Sequence, residues 1–267
     1  MSVSLTVLAS GSRGNSSLLS SSRTRLLVDC GLSCREECRR LEAQGIDPAG
    51  LAGILITHEH ADHVNGVHVM AKRFGLTVYM TAPTHAAWQR QFKDSAGNRV
   101  QAGRLETFEA GKGFVVGDIE VMPFTIPHDA ADPVGFRFTT EGVRVAYATD
   151  LGYMPQNVKE QLKGCAGMVL ESNHDLEMLR GGPYPWAVKQ RVMSRVGHLS
   201  NDALAEFLGT DYDGSAAFVV LAHLSEQNNL PELARMTAER ALGERPGLFA
   251  SRLLLARQDE PLAPLTL

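Results

Sequence analysis

The chain predicts an α/β protein built in layers, and three features of the sequence lead there. Apolar, β-favouring runs repeatedly end in ligand-type side chains. Leu51 to Ile56 runs into Thr57-His58, Val143 to Ala148 into Thr149-Asp150, Met168 to Leu170 into Glu171, and Phe218 to Leu221 into Ala222-His223. Helix signals separate the earlier runs and give strand-helix-strand alternation. Leu105 to Phe108, Phe114 to Val116 and Ile119 to Phe124 then follow one another closely and read as consecutive short strands of a second sheet. With 267 residues and 44% hydrophobic content the chain can bury a sizeable core. No linker, repeat or low-complexity block divides it, so one domain over residues 1–267 is expected.

In chain order, Leu5 to Leu8 reads as a strand, and Ala9-Ser10-Gly11-Ser12-Arg13-Gly14-Asn15-Ser16-Ser17 reads as a hairpin loop. Its glycines and hydroxyls suit a plain turn and equally a backbone approach to an anion. Arg25 to Asp29 is the next strand. Ser33 is an N-cap, with Glu36 at the capping-box position and Gly45 beyond the end, which predicts a helix from Cys34 to Gln44. Cys30, Cys34 and Cys38 recur every four residues and read as one buried helix face. Gly66 to Phe74 and Thr84 to Gln91 read as helices around a strand at Thr77 to Met80. Further on, Gln156 to Leu162 reads as a helix and Val196-Gly197-His198-Leu199-Ser200-Asn201 opens another. Leu248 to Arg257 reads as a closing strand before an irregular tail with Pro261 and Pro264.

Thr57-His58-Glu59-His60-Ala61-Asp62-His63 gathers three imidazoles and a carboxylate at the carboxyl end of a buried strand. Mixed nitrogen and carboxylate ligands suit zinc, manganese or iron rather than calcium or magnesium. Four such groups are too many for one open catalytic ion, which usually takes three protein ligands. Two divalent transition metals are therefore expected. His128 just past a strand, Asp150 after Val143 to Ala148, and His223 after Phe218 to Leu221 are the further candidate ligands. Asp150 could also simply cap the following helix. A carboxylate there could hold two ions about 3.5 to 4 Å apart, the spacing of two-metal hydrolases.

His-x-His-x-Asp-His after an apolar strand resembles the signature of the metallo-β-lactamase fold superfamily. The resemblance implies an αββα sandwich, two mixed sheets flanked by helices, with His58 and His60 on one metal, Asp62 and His63 on the other, and Asp150 bridging. It makes Asp29 a group that orients a metal-site loop rather than a ligand. Members that carry two irons and reduce oxygen have Glu where this chain has His60, which argues for hydrolysis. The order of His128, Glu171, His198 and His223 is similar to that of ribonuclease Z and ribonuclease J. By that comparison His223 binds the second metal, and Glu171 with His198 forms an acid/base pair. Leu224 stands where ribonuclease Z has Phe. Ala-Ser-Gly-Ser-x-Gly-Asn-Ser, Glu-Ser-Asn-His-Asp, Tyr-Pro, Gly-His-Leu-Ser-Asn and His-Leu-Ser-x-x-Asn-Asn together resemble the YycJ/WalJ-type group. That likeness implies a bacterial cytoplasmic 5'-to-3' exonuclease on double-stranded DNA that prefers manganese.

The expected chemistry is metal-assisted phosphodiester hydrolysis, with Asp62 or Asp150 accepting the proton of water and His198 protonating the leaving oxygen. Two other readings compete. One is hydrolysis of a small thioester, lactone or cyclic phosphodiester on the same fold, and the other is a non-catalytic metal-binding scaffold. A helix-capping or core role is the plain alternative for His198. Net charge is −4 and the pI about 6.1, so no global field draws nucleic acid. A local basic rim could still do so, and Arg35, Arg39 and Arg40, with Lys189, Arg191 and Arg195, are its candidates. The start of the chain lacks a basic leader with a long apolar run, so a cytoplasmic protein with reduced cysteines is expected.

Overall fold

A computed structural model describes residues 3–93, 96–243 and 252–267. The first sheet holds β1 (Ser4–Ala9), β2 (Ser16–Ser20), β3 (Arg25–Val28), β4 (Gly53–Leu55), β5 (Thr77–Thr81) and β6 (Arg104–Phe108). The second holds β7 (Phe114–Val116), β8 (Ile119–Thr125), β9 (Val134–Thr140), β10 (Val143–Ala148), β11 (Gly167–Glu171), β12 (Phe218–Ala222) and β13 (Arg252–Leu255). A two-residue β14 (Leu265–Thr266) returns to the first sheet beside β1. Both sheets are mixed. β1 to β3 run antiparallel and β3 to β6 parallel, while β7 to β10 run antiparallel and β10 to β13 parallel.

Alternation along the strands explains the layering. Leu26 and Val28 pack between the sheets with Phe136, Tyr147 and Val220, whereas Leu27 between them points outward to a second cluster. Strands buried on both faces read as continuous apolar runs, which is how they stand out in the sequence. The outward face of the first sheet is covered by α1 (Cys34–Ala43), α3 (Val67–Phe74) and α4 (Ala82–Gln91) through Leu41, Met70 and Trp88. The second is covered by α5 (Gln156–Leu162), α8 (Asn201–Thr210) and α9 (Pro231–Gly243) through Leu162, Phe207 and Ala238. The short helices α2 (Ala61–Val64) and α7 (Trp186–Val192) line the edge where the site forms, and α6 (Leu176–Gly181) precedes α7 in the chain. The architecture is the αββα sandwich. Among the described residues no helix is long and apolar enough to cross a membrane.

Four details differ from the sequence reading. β6 lies in the first sheet, parallel to β5, because α4 and the segment after it supply the long crossover that parallel pairing needs. Cys30 precedes α1 rather than sharing its face, although Cys30, Cys34 and Cys38 are all buried free thiols in one cluster. The Ser33 hydroxyl caps α1 as expected, while the Glu36 carboxylate faces Arg39 and Arg40. The tail is not wholly irregular, since Leu265 pairs with Leu5. Of the closing strand expected from Leu248 to Arg257, residues 248–251 lie outside the described residues and Arg252–Leu255 forms β13.

Candidate metal centre

Asp29, Asp150 and His223 follow the carboxyl ends of β3, β10 and β12, and all three hold left-handed backbone conformations, with φ of 59°, 63° and 56°. Such positions cost of order 1–3 kcal/mol outside glycine and persist where surrounding contacts enforce them. Here each one swings a side chain from the strand axis onto the sheet edge. On the facing loop, the backbone of Asn15 donates to the Asp62 carbonyl at 2.7 Å, and Gly31 donates to the Asn15 carbonyl at 2.9 Å. A Cβ at Gly31 would overlap the Asp62 carbonyl, so only glycine permits this approach.

The nine residues singled out from sequence converge on this edge. His58 Nε2 and His128 Nε2 lie 3.1 and 3.2 Å from His60 Nδ1. Across from them, Asp62 Oδ2 lies 3.5 Å from His63 Nε2 and 3.4 Å from His223 Nε2. Asp150 stands between the groups, Oδ2 3.4 Å from His63 Nε2 and Oδ1 3.8 Å from His128 Nε2. Asp150 Oδ2 is buried and has no hydrogen-bond partner. An orphaned carboxylate oxygen at the focus of imidazole nitrogens fits a cation.

The far nitrogens of four histidines show which lone pairs face inward. His63 Nδ1 donates to Asp29 Oδ2 at 2.8 Å, and His223 Nδ1 to Glu171 Oε1 at 2.9 Å. His128 Nδ1 donates to the Gly197 carbonyl at 3.1 Å, and His58 Nδ1 meets Thr57 Oγ1 at 3.0 Å. Asp29 also accepts from the Thr57 amide at 2.8 Å, so one carboxylate fixes both the loop and a ring. Each Nε2 thereby faces the site, the arrangement that orients metal-binding imidazoles. Burial opposes charging of His63 and His223, but the surrounding carboxylates raise both well above the ordinary range, so a cation would displace their protons. Burial, then the neighbouring imidazoles, holds His58 well below its ordinary range and therefore neutral. Burial alone would raise the Asp62 and Asp150 carboxyls, but the surrounding histidines carry both below the usual range. Neutral imidazoles and ionised carboxylates are the ligating forms. These His/Asp clusters fit divalent metal ions, with candidate ligand atoms in each set within 4.8 Å of one another.

Glu171 lies against His198, as the sequence reading pairs them, and meets His223 as well. Its Oε1 accepts from His198 Nδ1 at 2.8 Å and from His223 Nδ1 at 2.9 Å, while Oε2 accepts the amides of Leu151 at 2.6 Å and Leu199 at 3.0 Å. Burial would raise this carboxyl, yet the two imidazoles hold it far below its ordinary value. This ionised carboxylate is fully engaged and anchors both rings. His198 precedes α8, capped by Ser200, and its side chain is 19% exposed where it borders a cleft of about 390 Å³.

Sequence reasoning missed a layer of supporting side chains. Asn15 Nδ2 donates to Asp62 Oδ2 at 3.2 Å, and Ser10 Oγ accepts the His223 amide at 2.7 Å. Asn229 Nδ2 bonds the carbonyls of Ser172 and Asn173, while Asn173 Nδ2 donates to the His223 carbonyl. The signal was present as motifs, whose small polar residues turn out to be buried ties between strand ends. The expected basic rims are largely spent on structure. Arg39 and Arg40 pair with Glu36, Arg40 also bonding the Leu8 carbonyl. Lys189 is buried against the Arg180 carbonyl, and Arg195 stacks on Tyr153 at 4.2 Å. Arg191 pairs with Asp129 at the mouth of the cleft.

Residues 24–223 match the family described as the β-lactamase superfamily domain, a span that includes every candidate ligand. The chain belongs to this superfamily. It is 38% identical over 238 residues to exodeoxyribonuclease WalJ of Streptococcus pneumoniae serotype 2 strain D39, covering 89% of this chain and 87% of that one. It is likewise 38% identical over 245 residues to exodeoxyribonuclease YycJ of Bacillus anthracis, covering 92% and 91%. Among solved structures, the metallo-β-lactamase fold protein YhfI of Bacillus subtilis superposes with a TM-score of 0.71 at 14% identity, over 98% of this chain and 99% of that one. That likeness shows the fold.

Proposed function

We propose that the protein is a metal-dependent exodeoxyribonuclease that hydrolyses phosphodiester bonds of double-stranded DNA from the 5' end at a two-cation centre. The observation that carries the reading is Asp150, whose Oδ2 faces His63 without a hydrogen-bond partner while Oδ1 reaches His128 at 3.8 Å and His223 at 3.4 Å, so that one carboxylate borders both histidine groups. Relatives that are named exodeoxyribonucleases and align over most of both chains support the substrate class.

One cation would be held by His58, His60 and His128 and the other by Asp62, His63 and His223, with Asp150 shared. The donor set suits manganese or zinc. When bound, such ions supply Lewis acidity toward a phosphoryl oxygen and lower the pKa of water. Asp62 is the candidate proton acceptor, its side chain 24% exposed toward the cleft. His198, anchored through Nδ1 on Glu171, keeps Nε2 to protonate the leaving oxygen. Glu171 holds that ring and His223 at a common distance, coupling the proton donor to the ligand shell.

The test is hydrolysis of bis-p-nitrophenyl phosphate and of duplex DNA by manganese-loaded protein, with and without chelator. Cleavage of both substrates, lost on chelation, is expected. Turnover of the small ester with no affinity for DNA at low salt would instead identify a small-molecule hydrolase. Bound metal with no turnover of either would leave a scaffold.

A further inference from the structure

The charge of this acidic chain is unevenly distributed. Residues 64 to 104 carry Lys72, Arg73, Arg90, Lys93, Arg99 and Arg104 against the lone acid Asp94, in a chain of formal net charge −4. All six cations are exposed. Elsewhere many surface cations are tied to acids, as in Arg39 and Arg40 with Glu36, Lys159 with Asp211, and Arg191 with Asp129, while the exposed Arg25, Arg35, Arg144, Arg240 and Arg252 stand apart from one another in sequence. Among the described residues, these six make no such ion pair. Arg73 lies over the ring of Phe74 at 5.1 Å.

Five of these cations, all but Arg90, also line adjoining depressions. The cleft beside the candidate metal centre shares Phe92 with a second cavity of about 670 Å³, into which Lys72, Arg73 and Lys93 project. That cavity shares His68 and Lys72 with a third of about 590 Å³, bordered by Arg99 and Arg104. His68 is fixed there by the backbone of Gln101, which joins α3 to the segment before β6. Val69, 49% exposed, and the half-buried Phe92 add apolar surface along the floor. A path that starts at a phosphodiester-cleaving edge and runs between unpaired cations over apolar patches matches a sugar-phosphate backbone.

We infer that the groove from Phe92 along α3 to Arg104 is the docking lane for the nucleic-acid backbone, holding the polynucleotide beyond the nucleotide being cleaved. Lys72 and Arg99 sit at its middle and far end. The lane rests on the polynucleotide reading of the metal centre and says where on this fold that substrate lies. An acidic protein partner would have no reason to share a wall with the metal cleft.

The experiment compares manganese-loaded wild type with a Lys72→Glu/Arg99→Glu double variant, on a long duplex and on bis-p-nitrophenyl phosphate, across a salt series. Neither residue touches the metal cleft, so turnover of the small ester should be unchanged, which also reports an intact fold. KM for the duplex should rise about tenfold or more at low salt, and the slope of log KM against log salt should flatten by about two, one for each phosphate no longer neutralised. Duplex KM and salt slope equal to wild type would overturn the lane while leaving the exonuclease reading standing. A wild type that cleaves the small ester but neither binds nor digests DNA would overturn the polynucleotide reading, and the lane with it.

Discussion

The first sheet delivers four ligand-type side chains, His58, His60, Asp62 and His63, from one run of six residues, whereas the second delivers His128, Asp150, Glu171 and His223 from four separate strand ends. In the first region local contacts fix the geometry. A single helical turn carries Asp62 and His63, Asn15 clamps its backbone, and Gly31 lets the loops touch. In the second region the sheet itself does so, because Ala148, Leu170 and Leu221 are neighbours across β10, β11 and β12, and their registers set how far each following residue reaches. One half of the site is built by a loop and the other by a ladder. Asp150 is where the halves meet, and Glu171 is where the ladder holds its rings.

The largest expected effect comes from breaking that meeting point. Asp150→Ala should lower metal content and abolish turnover together, a loss beyond the roughly 10 to 100-fold that removing an outer partner costs. Elemental analysis showing full occupancy in that variant would remove Asp150 from the bridging role.

His198 sharpens the comparison, because it belongs to the second region without being counted as a ligand. His198→Ala should leave metal content intact while cutting turnover on DNA about 10² to 10⁴-fold, the usual range for general acid catalysis. An activated p-nitrophenyl ester needs little help in leaving, so its loss should be smaller. Equal losses on both substrates would make His198 a positioning residue.

Asp29→Asn probes the first region. Asparagine tolerates the left-handed backbone at this position and can still accept the Thr57 amide, but its amide nitrogen would face His63 Nδ1 as a donor. Metal affinity should fall about 10 to 100-fold with the fold retained. An unchanged affinity by competition with a chelating dye would show that the loop alone orients His63.

The effect with least bearing on turnover lies behind the first region and concerns stability. Glu37 is fully buried beside Ser16 and Cys30, and burial pushes its carboxyl up to about 7, against the pull of Ser16 and of Arg40 and with Glu36 adding to the rise. Because the folded state raises this pKa, its contribution is fully present below about 4.5 and is lost as pH climbs toward 7. Glu37→Gln should therefore gain stability relative to wild type between those values, by up to about 3 kcal/mol. Urea unfolding of the pair across pH measures it, and a constant difference would place the ionisation elsewhere.

The same contrast explains what could be read from sequence. A contiguous run of ligands after an apolar strand is visible because its spacing is local, and the doubly buried strands are visible because they are apolar throughout. The placing of β6 was not, since three short runs in succession look alike whichever sheet each one joins. Nor was the double duty of Glu171, which depends on His198 and His223 arriving at one oxygen from positions 27 and 52 residues away. Asn15, Ser10 and Asn229 appeared as motif letters whose contacts only tertiary structure defines. Arg39, Arg40 and Arg191 among the rim candidates are paired with acids, which sequence does not disclose because it shows which residues are basic but not which are already paired.

The central claim is that loop and ladder assemble one centre that removes nucleotides from a DNA end. The most direct test is a time course of manganese-loaded protein on end-labelled duplex DNA, with and without a 5' phosphate, resolving every product length. Release of the 5' label as a mononucleotide at the earliest times, followed by stepwise shortening of 3'-labelled strands, is the predicted result. Internal fragments from the outset, early release of the 3' label, or an untouched duplex under conditions where bis-p-nitrophenyl phosphate is cleaved would contradict it.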